Sequence, residues 1–104
     1  MKFLVFATLA FLLLGFSANA HNECVEAAES TSTHVLLEKH KGKELSNIRV
    51  LHSGCIFEHD PKTDIQSYIC GVDFSYELKG QREELSYDLV FDGQCDELYE
   101  IEER

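Results

Sequence analysis

Two hydrophobic rhythms divide the chain. From about Asn22 to Lys41 the pattern is helical: Cys24, Ala28, Thr31 and Val35 recur at the spacing of one helix face, with Leu36 beside them. Glu23, Glu26 and Glu29 lie in the early turns and Lys39, His40 and Lys41 in the last, which complements the helix dipole, and Gly42 supplies a stop. The run Ser30-Thr31-Ser32-Thr33 is its weakest part, because hydroxyl and β-branched residues form helix poorly.

After Gly42 the period changes to two. Asn47 to Glu58 reads as a first strand, closed by the turn-rich stretch His59-Asp60-Pro61-Lys62-Thr63-Asp64. Ser67 to Leu78 is the clearest strand, with Tyr68, Cys70, Val72, Phe74, Tyr76 and Leu78 on one face and Ile69, Gly71, Asp73, Ser75 and Glu77 on the other. Lys79-Gly80-Gln81 turns the chain into a third strand, Glu83 to Phe91, whose Leu85, Tyr87, Leu89 and Phe91 share a face. Asp92-Gly93 marks another hairpin. A two-residue loop there would turn Gln94, Asp96 and Glu100 toward the core, at a cost in polar burial. A three-residue loop, Asp92 to Gln94, pairs Phe91 with Cys95 and brings Tyr99 and Ile101 inward, and is the expected register. The last segment reads as a strand, with a short helix carrying Cys95, Leu98 and Ile101 on one face as the alternative. Most aromatics, Phe57, Tyr68, Phe74, Tyr76, Tyr87, Phe91 and Tyr99, fall on the expected core face.

The expected fold class is therefore α+β: one N-terminal helix packed on a four-stranded antiparallel meander sheet, because the helix must cover the sheet's apolar face. The outline is similar to that of the cystatin-like folds, as architecture only. The inhibitory glutamine-valine-glycine loop of cystatins is not legible, since Gln66 and Gly71 stand at the wrong separation.

The start of the chain bears on compartment. Lys2, the apolar stretch Phe3 to Phe16 and the small residues Ala18 and Ala20 form the three parts of a secretory signal peptide, residues 1–20. The apolar stretch is shorter than the about 20 residues a membrane span needs. Cleavage would leave a single small exported domain, residues 21–104, beginning at His21.

The four cysteines, Cys24, Cys55, Cys70 and Cys95, then read as two disulfides that staple a core of limited size. A zinc site normally shows close C-x-x-C pairs, which are lacking here. In the meander all four sulfurs collect at one end of the domain. Cys70 and Cys95, two strands apart, would be about 9–10 Å from each other, beyond the about 7 Å a disulfide tolerates. Cys55 and Cys70 lie on adjacent strands and the same face. The favoured pairing is Cys55–Cys70 with Cys24–Cys95, ahead of Cys24–Cys55 with Cys70–Cys95.

The formal net charge is −10, and loss of Lys2 with the leader makes it −11. Such a surface repels nucleic acid and anionic lipid and suits a basic protein partner. The outward sheet residues Asp73, Ser75, Glu77, Glu84, Ser86 and Asp88 form the expected partner surface. No G-x-S-x-G frame appears, and Ser53-Gly54 beside His52 reads as a strand bend, so a small hydrolase is only an alternative. A second alternative is copper: the α-amine and imidazole of His21, at a processed N-terminus, are nitrogen ligands suited to Cu(II). His34 and His40 lie on different sides of the helix, and His52 and His59 on opposite strand faces, so neither pair shows ligand spacing. The segment Asp88 to Tyr99 fails as a calcium loop, with Val90 at a ligand position and Tyr99 at the closing one. The expectation is an exported, secreted or periplasmic, non-enzymatic binding module without a cofactor, with no membrane span after processing.

Overall fold

The computed structural model describes residues 12–104, with side chains from residue 22 onward. A single helix, α1 (Leu12–Lys39), is followed by four strands, β1 (Leu45–Asp60), β2 (Ile65–Leu78), β3 (Gln81–Asp92) and β4 (Leu98–Glu103). The strands form one antiparallel sheet in the order β1-β2-β3-β4. This is the expected α+β architecture, and its outline is compatible with the cystatin-like one. Residues 1–11, and with them the start of the expected leader, lie outside the described residues. No helix among the described residues is long and apolar enough to cross a membrane.

The helix begins ten residues before its expected start and ends two before its expected finish. At the early end the small and apolar residues around Ser17-Ala18-Asn19-Ala20 contain no proline, so helical geometry runs through them. At the late end Gly42 adopts φ 81°, and the amides of His40 and Lys41 bond back to the carbonyls of Leu36 and Glu38. The chain thus leaves the helix two residues earlier than the lysines suggest, through a left-handed glycine stop.

α1 lies chiefly over β1 and β2 and touches β3 lightly. It buries Cys24, Ala28, Ser32 and Leu36 against Tyr68, Cys70, Val72, Phe74 and Tyr76 of β2 and Tyr87, Leu89 and Phe91 of β3. Each large apolar side chain fully withdrawn from water contributes about 1.5–3 kcal/mol. Phe74 and Tyr87 meet edge to face, with centroids 6.1 Å apart. The weak Ser30–Thr33 stretch is braced: Thr33 Oγ1 donates to the Glu29 carbonyl at 2.7 Å, and Ser53 of β1 donates its hydroxyl to the Glu29 carboxylate.

The hairpins depart from expectation in instructive ways. β1 and β2 run on to Asp60 and Ile65, so the first hairpin closes over Pro61–Asp64, and Cys55 faces Cys70 in mid-strand rather than at a strand end. The next loop is two residues, not three: Lys79 and Gly80 take φ 54° and 81°, the primed turn that matches strand twist, and Leu78 pairs with Gln81. The β3–β4 loop is longer than expected. Phe91 pairs with Leu98 instead of Cys95, and Ile101 faces the core opposite Leu89. A shift in register between Val90 and Phe91 leaves Tyr99 56% exposed rather than inward. The Asp92 carboxylate causes the difference. It accepts from the amides of Gln94 (3.2 Å) and Asp96 (2.8 Å), while the Asp92 amide bonds the Glu97 carbonyl, so residues 93–97 form a capped loop. Phe57 is likewise 49% exposed, packed edge-on against Tyr68 beyond the cover of the helix.

Both favoured disulfide pairs form: Cys24–Cys95 with Cα atoms 5.4 Å apart, and Cys55–Cys70 at 4.0 Å. Their sequence separations are 71 and 15. On the chain-entropy model, Cys24→Ser/Cys95→Ser lowers unfolding free energy by about 4 kcal/mol and Cys55→Ser/Cys70→Ser by about 3 kcal/mol, an ordering readable from urea titrations of the two variants. A Cβ at Gly93 would stand 2.9 Å from the Gln66 Cβ, whereas one at Gly54 meets nothing within 4 Å. The same titrations should show Gly93→Ala losing about 1–3 kcal/mol and Gly54→Ala changing by less than about 1 kcal/mol.

Candidate functional site

Among the described residues nothing covers the sheet face opposite α1, and antiparallel register arranges its side chains in rows across the strands. One row runs Ser46, Glu77, Arg82; the next Arg49, Ser75, Glu84; then His52, Asp73, Ser86; then Gly54, Gly71, Asp88, Glu102; then Ile56, Ile69, Val90, Glu100. The face carries at least one charged side chain in every row, with two adjacent glycines in the fourth row and three apolar residues in the fifth.

The expected surface residues all map to this face but do not act alike. Asp73, Ser86 and Asp88 are brought together. Ser86 donates to Asp73 at 2.6 Å, and Arg104 donates from Nε to Asp88 at 2.9 Å while its Nη2 stands 3.5 Å from Asp73. His52 Nδ1 lies 3.5 Å from the other Asp73 oxygen. These half-exposed pairs contribute about 0–1 kcal/mol each, so they orient side chains more than they stabilise the fold. Glu84 is exposed and Glu77 half-buried. Ser75 is only 5% exposed, between the long in-register neighbours Arg49 and Glu84, and offers a partner nothing.

The expected partner surface omitted the cations Arg49, His52, Arg82 and Arg104, and the carboxylates Glu100 and Glu102. The register shift between Val50 and His52 puts Arg49 outward where strict alternation from Cys55 would turn it inward. On β4, Glu100 and Glu102 point outward opposite Val90 and Asp88. The Glu102 carboxyl is raised above its ordinary value by a hydrogen bond with Glu100, and further by the charges of Glu100 and Asp88. Negative charge is therefore most crowded at the β3–β4 side, where Arg104 is the near cation.

The Ser86, Asp73 and His52 group does not have the order of a catalytic triad. Asp73 sits between Ser86 and His52, whereas a catalytic triad needs the imidazole between hydroxyl and carboxylate to take the serine proton. Ser53 is on the helix side, engaged with Glu29, while its neighbour His52 faces away. The His21 side chain, on which the copper expectation rests, lies outside the described residues. Among the described residues, no three histidines, cysteines or carboxylates are grouped as metal ligands.

A second polar cluster sits under the end of α1. His40 is buried with its ring 5.4 Å from that of Tyr76, and neither of its ring nitrogens has a hydrogen-bond partner among the described groups. Lys39 closes the corner with an ion pair to Glu103 at 2.7 Å. Burial lowers the His40 pKa below 6.5, assisted by the charges of Lys43 and Lys39 and opposed by Glu103 and Glu83. Burial likewise raises the Tyr76 and Tyr87 hydroxyls.

No protein-family model, no curated protein and no solved structure matches this chain.

A histidine held neutral by the fold binds its proton more readily once the chain unfolds. The stability it preserves is intact above its ordinary value of 6.5 and is lost as pH falls from there toward the folded value. Urea midpoints should therefore drop between pH 7 and pH 5.5, and His40→Gln should flatten that slope.

Proposed function

We propose that this chain is an exported, non-enzymatic binding module that holds a basic protein on the open face of its sheet, over Asp88, Glu100 and Glu102. The observation that carries the reading is the carboxylate crowding there: Asp88 stands in register with Glu102, and Glu100 lies two residues along the same strand on the same face, so an arriving lysine or arginine relieves repulsion already present. A sheet face also loses little conformational freedom on docking. Arg49, Arg82 and Arg104 give the surface a pattern of sign rather than uniform negative charge, which favours a partner with its own matching arrangement. Inhibition of a basic enzyme by covering its surface is the activity that fits such a module. Export follows from the leader-like residues 1–20 together with two disulfides in a small domain, and its compartment is the extracellular space or periplasm.

The test is capture from the fluid in which the host keeps the protein, using tagged oxidised domain. Basic proteins should be retained at low salt and released at about 0.5 M salt, where screening acts within about 4 Å. Glu100→Lys/Glu102→Lys should weaken retention by about ten-fold or more, with Ser75→Ala as a silent control. Empty capture at low salt, or equal retention by the charge-reversed variant, refutes the proposal.

A further inference from the structure

The two edges of the sheet are protected unequally. β4 is short and lines one edge with Glu100, Glu102 and Glu103, a pattern that repels another copy of itself. β1 forms the other edge, paired only with β2, and is the longest strand. Its two register shifts, the usual devices for spoiling an edge, both fall before His52. From His52 to Asp60 the ladder is uninterrupted, so one side of this stretch presents a regular row of backbone donors and acceptors with no strand beside it among the described residues. Exposed Ile56 (61%) and Phe57 (49%) lie in the same stretch. It is also the part of the sheet with least charge to oppose self-association: β1 carries Arg49 against Glu58 and Asp60, in a chain of net charge −10.

We infer that β1 pairs with β1 of a second copy of this chain, antiparallel and centred on Ile56, to make one continuous eight-stranded sheet. The side-chain pattern selects that centre. A two-fold axis normal to the sheet through Ile56 sets Ile56 against itself, Cys55 against Phe57 of the second copy, Gly54 against Glu58, Ser53 against His59 and His52 against Asp60. The acidic end of each strand thus meets the histidine-bearing, acid-free part of the other. On the open face, Ile56, Ile69 and Val90 already form an apolar row across three strands. The axis joins two such rows into one, with Ile56 against Ile56 in the middle. On the helix face, each exposed Phe57 comes to lie over the Cys55–Cys70 bridge of the other copy. The isologous contact closes on itself, so the assembly stops at two. It leaves Glu100 and Glu102 at the far edges, and so is independent of the binding proposed for them.

Sedimentation equilibrium of the oxidised domain tests this. An interface of one strand pair is below standard size, so mass should rise toward twice the monomer only over about 1–500 µM. Ile56→Lys, at an exposed position, should hold the protein monomeric throughout that range with an unchanged circular dichroism spectrum. His52→Asp should weaken the dimer and the added change Asp60→His should restore it, which a folding defect would not do. Ile56→Cys should cross-link to a covalent dimer under mild oxidation, whereas Leu37→Cys, exposed on the helix, should not. A mass that stays monomeric at every concentration, a dimer that survives Ile56→Lys, or open-ended assembly overturns the inference.

Discussion

One helix has to keep water from one face of a four-stranded sheet, and the Cys24–Cys95 bond is what keeps it in place. α1 rests mainly on β1 and β2, while Cys95 belongs to the loop between β3 and β4. The bond therefore spans the sheet from the middle of the helix, and the Lys39–Glu103 ion pair spans it at the helix's C-terminal end. Between them Leu36, Ala28 and Ser32 descend onto Phe74, Val72 and Tyr87. Without that covalent hold, a helix anchored on two strands would expose the apolar faces of the other two.

This one-sided cover sets the chemistry of everything else. The covered face takes the aromatic and aliphatic side chains and a few buried polar atoms, among them those of Ser32, His40 and Tyr87. The uncovered face takes the charges, and short ion pairs there are oriented by strand register rather than by burial. Edges follow the same logic: β4 is guarded by its glutamates, and the first half of β1 by irregularity.

Much of this was legible in the residues. The alternation of Tyr68, Cys70, Val72, Phe74 and Tyr76 named the core face of β2, and distance arguments on four cysteines sufficed to pick the observed pairs. The failures came where a local hydrogen bond outweighed periodicity. Asp92 capping its own loop moved β4 by three residues, pairing Phe91 with Leu98, which no count of alternating positions anticipates. The bulge before His52 reversed the side on which Arg49 emerges. The acidic surface was legible as composition, but its sorting into rows with Arg104 bridging Asp73 and Asp88 depends on register across three strands.

The meander order has a temporal consequence. Each strand after the first neighbours the one made just before it, so all three hairpins close short loops, and Cys55 and Cys70 meet across only 15 residues. Cys24 must wait for a cysteine 71 residues further on. The first of these four cysteines in chain order is thus the last to find its partner, and throughout that interval its thiol is open to exchange with whatever oxidant or isomerase the compartment supplies.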